Sequence, residues 1–149
     1  MTDRRRSAGE PDGLELALRA LRHRDRSIAE IEERLERRGV GEDERAAVLT
    51  RLTEAGYLDD GRYAARRAEV LAARGAGDEL IASDLQSHGV GAELVGQAIA
   101  GLAAEADRAA ALVEERGASE RTLRFLATRG FREESLERVV AHLGERTIR

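Results

Sequence analysis

At 149 residues, with a net charge of −4, 36% charged and only 3% aromatic side chains, the chain has room for one domain or a short run of repeats. It lacks the basic excess expected of a general nucleic-acid binder. With no cysteine there is neither a disulfide framework nor a thiolate metal site, and no stretch approaches the roughly 20 apolar residues that span a bilayer, so a cytoplasmic protein is expected.

Residues 1–11 (MTDRRRSAGEP) are polar and aperiodic and read as a disordered N-terminal tail, with Arg4, Arg5 and Arg6 solvated. From residue 12 the chain reads as helices cut at glycine. Leu14, Leu18 and Leu21 fall on one face of a first helix. Ser27 with Glu30 three residues on has the capping-box pattern, opening a second helix with Ile28, Ile31 and Leu35 inward, up to Gly39. A third, with Val48, Leu49 and Leu52 inward, stops at Gly56. Asp59 and Asp60 then open the next set: Tyr63 to Arg74, Glu79 to His88, and Ala92 to about Leu102. The last set runs from about Ala103 through Arg116, then Ser119 to Arg129, then Glu133 to Leu143.

These sets repeat. Leu35-x3-Gly39-Val40 returns as Leu85-x3-Gly89-Val90 and again as Leu126-x3-Gly130-Phe131, while Ile31 matches Ile81 and Leu52 matches Leu102 and Leu143. The expected fold is all-α: tandem three-helix repeats over 12–56, 57–102 and a shortened 103–149, in an elongated, curved array. A helical unit this small cannot bury its apolar face alone, so copies stack and leave a long surface suited to gripping another macromolecule. Gly75, Gly77 and Gly117 read as plain helix stops rather than hinges.

No enzyme signature emerges, and no cofactor or metal is expected. Gly39-Val-Gly41 and Gly89-Val-Gly91 follow helices rather than strands, and the chain has no Lys, which argues against phosphate loops. His23, His88 and His142 are far apart, each near an expected helix C-terminus, where an imidazolium suits the dipole. The arginines carry more information. Arg34, Arg37 and Arg38 line one side of the second helix, and Arg62, Arg66, Arg67 and Arg74 follow on the fourth. A solvated face with Glu30–Arg34 and Glu33–Arg37 pairs is the plain reading; a partner-binding surface is the functional one. Residues 75–116 hold two Arg against eight acids, and Asp78, Glu79 and Asp84 there oppose phosphate contact.

The ordered series resembles the RecX family of bacterial recombination regulators. It comprises Ala20-Leu21-Arg22-His23-Arg24-Asp25-Arg26-Ser27, the Gly56-Tyr57-Leu58-Asp59-Asp60-x-Arg62-Tyr63-Ala64 stretch, Arg74-Gly75-x-Gly77, and Leu123-x-Phe125-Leu126-x2-Arg129-Gly130-Phe131. The resemblance implies tandem three-helix repeats. It also implies binding to the RecA recombinase and its filament on single-stranded DNA, lowering ATP hydrolysis, strand exchange and co-protease activity, with no catalytic residues. The chain is expected to act as a monomer, with at most a weak direct DNA contact. Read from the residues alone, a helical DNA-binding protein and an adaptor for another partner stay open.

Overall fold

The computed structural model describes residues 12–147, so the expected tail over 1–11 lies outside the described residues. Among the described residues there are nine helices and no strand: α1 (Gly13–His23), α2 (Ile28–Arg37), α3 (Glu42–Glu54), α4 (Asp60–Ala73), α5 (Asp78–Ser87), α6 (Ala92–Ala100), α7 (Glu105–Arg116), α8 (Glu120–Thr128) and α9 (Glu133–Thr147). The protein is an all-α helical array. The chain divides into two compact units, residues 1–59 and 60–149.

The recurring Leu-x3-Gly-Val/Phe motif is a recurring helix stop. At the end of α2 the Val40 N–H donates to the Leu35 carbonyl and the Gly39 N–H to that of Glu36, both at 3.0 Å. The same two bonds close α5, from Val90 to Leu85 and from Gly89 to Gln86, and α8, from Phe131 to Leu126 and from Gly130 to Ala127. This geometry needs a left-handed residue, and the three glycines have φ between 79° and 83°. The turn then drives the following apolar side chain back onto the helix. Leu35, Leu85 and Leu126 are all fully buried, with Val40, Val90 and Phe131 at 4–7% exposure beside them.

In the first unit, Ser27 caps α2. Its hydroxyl accepts the Glu30 N–H while Glu30 accepts the Ser27 N–H, both at 3.1 Å, which is the expected capping box. Ile31, Leu35, Val48, Leu52 and Leu58 form the core with Leu16, Ala17 and Ala20. The buried face of α1 extends beyond the expected leucines. Leu14, Leu18 and Leu21 only flank the core, and the small residues Ala17 and Ala20 occupy its centre. Gly13 explains why: a Cβ there would lie 3.2 Å from Val40 and Glu44, so α1 seats its narrow side against the start of α3.

In the second unit, Tyr63, Ala64, Ala68, Ala76, Ile81, Leu85, Val90, Val95 and Ala98 form one cluster among α4–α6. Ala109, Val113, Leu126, Phe131 and Val139 form another among α7–α9. Helix α9 continues past Leu143 to Thr147, so His142 does not sit at a helix end as expected. Gly144 is carried within the helix, at a cost of about 1 kcal/mol relative to Ala.

Candidate partner-binding surface

Within the first unit, Arg34 and Arg37 lie on α2 and Arg38 is its C-cap. Arg34 is half-buried, while Arg37 and Arg38 are exposed. Arg37 reaches Glu33 at 4.0 Å, the expected one-turn pair. Glu30 does not pair with Arg34. Its carboxylate is spent on the Ser27 cap and on Arg24, at 3.4 Å.

Within the second unit, Arg62, Arg66 and Arg74 are exposed along α4 and its end, one turn and then two turns apart, with Val70, 45% exposed, midway between the last two. Arg67, which sequence reasoning grouped with them, is turned to another task. Its Nε and Nη2 donate to the two carboxylate oxygens of Asp84 at 2.7 and 2.8 Å, tying α4 to α5. That bidentate pair holds the Asp84 carboxyl below the ordinary carboxylate range, chiefly through the Arg67 hydrogen bond and against the effect of burial. The His88 ring nitrogen Nδ1 also lies 2.7 Å from the Asp84 carbonyl oxygen at the close of α5. Asp84 therefore serves the fold, and its charge is already answered.

Asp78 is answered in the same way, by a residue the sequence did not single out. Arg108 of α7 pairs with the Asp78 carboxylate and donates to the carbonyls of Ala76 and Ala103, each at 3.0 Å. Burial, and then the nearby Glu105 charge, outweigh Arg108 and raise the Asp78 carboxyl above its ordinary range. Glu105 is itself 7% exposed. Its two oxygens accept the backbone N–H groups of Asp78 and Arg132, each at 2.6 Å, so one carboxylate caps the starts of α5 and α9 together. Sequence alone marks Glu105 only as a first-turn acid, a pattern shared with exposed acids such as Glu42 and Glu133.

Glycine completes this joint. The Gly77 N–H donates to the Arg129 carbonyl at 2.8 Å and the Glu79 N–H to that of Gly130 at 3.1 Å. A Cβ on Gly77 would lie 2.4 Å from the Gly130 backbone, and one on Gly130 2.5 Å from the Leu80 nitrogen. Gly77 is thus not the helix stop expected of it: Gly75 ends α4 with a φ of 85°, and Gly77 is the N-cap of α5 and a point of backbone contact. Elsewhere on α7–α9, Val113, Leu123, Val140 and Leu143 line a shallow, largely apolar groove of 360 Å³.

Comparison with known proteins places these features. Residues 14–52 match the family model described as RecX, first three-helix domain. The regulatory protein RecX of Chromohalobacter salexigens is 35% identical over 140 residues, covering 88% of this chain and 92% of that protein. The chain belongs to the RecX family. The RecX protein of Mycolicibacterium vanbaalenii is 42% identical over 95 residues, and the chain spans about half its length, 51%. The crystal structure of RecX from Lactobacillus salivarius superposes with a TM-score of 0.79 at 19% identity, over 89% of this chain and 94% of that one. A second RecX crystal structure gives 0.73 at 21% identity, over 87% and 71%. The RecX relatives are regulatory proteins by name, and no helix among the described residues is long and apolar enough to cross a membrane.

Proposed function

We propose that this chain binds the RecA recombinase and its filament on single-stranded DNA and restrains it, lowering ATP hydrolysis, strand exchange and co-protease activity. The observation that carries the reading is the match to a regulatory RecX protein over 88% of the chain. It acts by binding alone, as a monomer in the cytoplasm. Tandem helical sets offer several separate contacts, which suits a polymer whose subunits repeat. Arg34, Arg37 and Arg38 on one unit, and Arg62, Arg66 and Arg74 on the other, supply the contacts. Arg67 contributes by bracing α4 against α5 through Asp84.

The test is single-stranded-DNA-dependent ATP hydrolysis by RecA from the same organism, titrated with this protein. Half-inhibition well below one copy per RecA protomer is the expected result and marks action on the filament. Unchanged hydrolysis, together with no detectable binding to RecA, overturns the proposal.

A further inference from the structure

Of the arginines packed into the fold, Arg45 donates to the Val40 carbonyl, whereas Arg67 and Arg108 find a carboxylate. Arg129 is half-buried at the end of α8 and does not. Its Nη2 instead donates to the carbonyl of Arg74 at 3.3 Å. Two guanidinium-bearing residues, one closing α4 and one closing α8, are thereby held side by side. Among the described residues no carboxylate lies within 4.0 Å of either guanidinium. The contact uses one of the five N–H donors of Arg129. Capping the end of α4 is a sufficient reason for that one bond, but it leaves the rest of the fork and the whole of Arg74 unanswered.

The backbone beneath is rigidly placed. The carbonyls of Arg129 and Gly130 accept the Gly77 and Glu79 N–H groups. The Gly77–Gly130 approach leaves no room for a side chain between them, and Glu105 pins the start of α9 immediately beyond. With the backbone that carries Arg129 held in place, binding there has only the side chain left to order.

We propose that Arg74 and Arg129 form a single anion-accepting edge, spanning the second and third three-helix sets, that takes a carboxylate-rich surface of a protein partner. The occupant follows from charge. Exposed Glu79 stands beside Gly130, so a continuous polyanion tracking the edge would run onto like charge there. Separate carboxylates on a folded protein avoid it. The proposal extends the binding surface to Arg129 and rests on the reading that the chain binds the RecA filament.

The test measures binding of the full chain to RecA filaments, with circular dichroism verifying each variant. Arg129→Glu and Arg74→Glu are expected to weaken binding about tenfold, with the difference shrinking as salt is raised, while Arg129→Lys stays within about threefold because the charge is kept. Arg146→Glu, on the last turn of α9, should bind as the parent does. If Arg129→Glu loses helix content, Arg74→Glu and Arg129→Ala carry the measurement. Parent-like binding by the charge-reversed variants overturns the edge and leaves the RecA reading standing; absence of filament binding by the parent chain removes both. Binding of a bare single-stranded oligonucleotide that Arg129→Glu abolishes would assign the edge to phosphate and overturn the carboxylate occupant.

Discussion

Glu105 holds Arg132 by the backbone: one carboxylate oxygen accepts the Arg132 N–H at 2.6 Å, while the other accepts that of Asp78, also at 2.6 Å. Two helix starts depend on one buried side chain. Glu105→Gln keeps the shape but turns an N–H2 group toward an N–H donor, leaving one donor unsatisfied. We expect a loss of about 2–3 kcal/mol in unfolding free energy, measured by urea denaturation. Amide exchange should speed up at Asp78 and Arg132 together, although they are far apart in sequence. Faster exchange at only one of them would show that the carboxylate does not couple the two helices.

Glycine substitutions separate contact from mere helix punctuation. Gly77→Ala places a Cβ 2.4 Å from the Gly130 backbone and should cost more than about 2 kcal/mol, within the range for overpacked sites. Gly96→Ala, inside α6 with nothing within 4 Å of the new Cβ, should gain about 0.5–1 kcal/mol from helix propensity. Thermal unfolding of the two variants should therefore move in opposite directions.

The Arg67–Asp84 pair sets a pH dependence. Because the folded carboxyl titrates below its ordinary value of 3.8, its contribution is fully present above that value and disappears as pH falls through the folded one. Asp78 has the opposite sign. Its folded carboxyl titrates above 3.8, so ionising it opposes folding at neutral pH, and that opposition is relieved as acid is added. Asp84→Asn should flatten the acid limb of a stability-against-pH curve, and Asp78→Asn should steepen it. An Arg67→Ala, Asp84→Ala double-mutant cycle should give a coupling of about 1–2 kcal/mol at neutral pH. A coupling near zero would reduce the pair to a solvated surface contact.

Ser27 is fully buried, and its hydroxyl accepts the Glu30 N–H at 3.1 Å. Ser27→Ala should cost about 1–2 kcal/mol, at the upper end for caps because the orphaned N–H is shielded from water. Equilibrium denaturation tests this, and an effect below 0.5 kcal/mol, the range of ordinary surface changes, would show that the cap is dispensable.

Much of this fold was legible because its signals are local. The three Leu-x3-Gly stops and the Ser27–Glu30 box each act within one helical turn, so spacing alone exposes them. The Arg positions on α2 and α4 were legible as positions, but their employment was not. Arg67 meets Asp84 across 17 residues, and Arg129 meets Arg74 across 55. Burial of Glu105 is invisible for the same reason, since only folding brings the starts of α5 and α9 to one carboxylate. On α1 the expected Leu14, Leu18 and Leu21 do pack against the core, while the more deeply buried Ala17 and Ala20 went unmarked because Leu outranks Ala in apolarity.

The mutual fit of Gly77 and Gly130 bears on how such a protein can change its size. A tandem array ordinarily lengthens by copying one of its modules, with each copy meeting only its neighbours. Here the stop that ends α8 is also the surface on which the start of α5 rests, so a module spliced between Leu102 and Glu105 would carry the two glycines apart. Copy number at this junction is therefore fixed by a backbone contact.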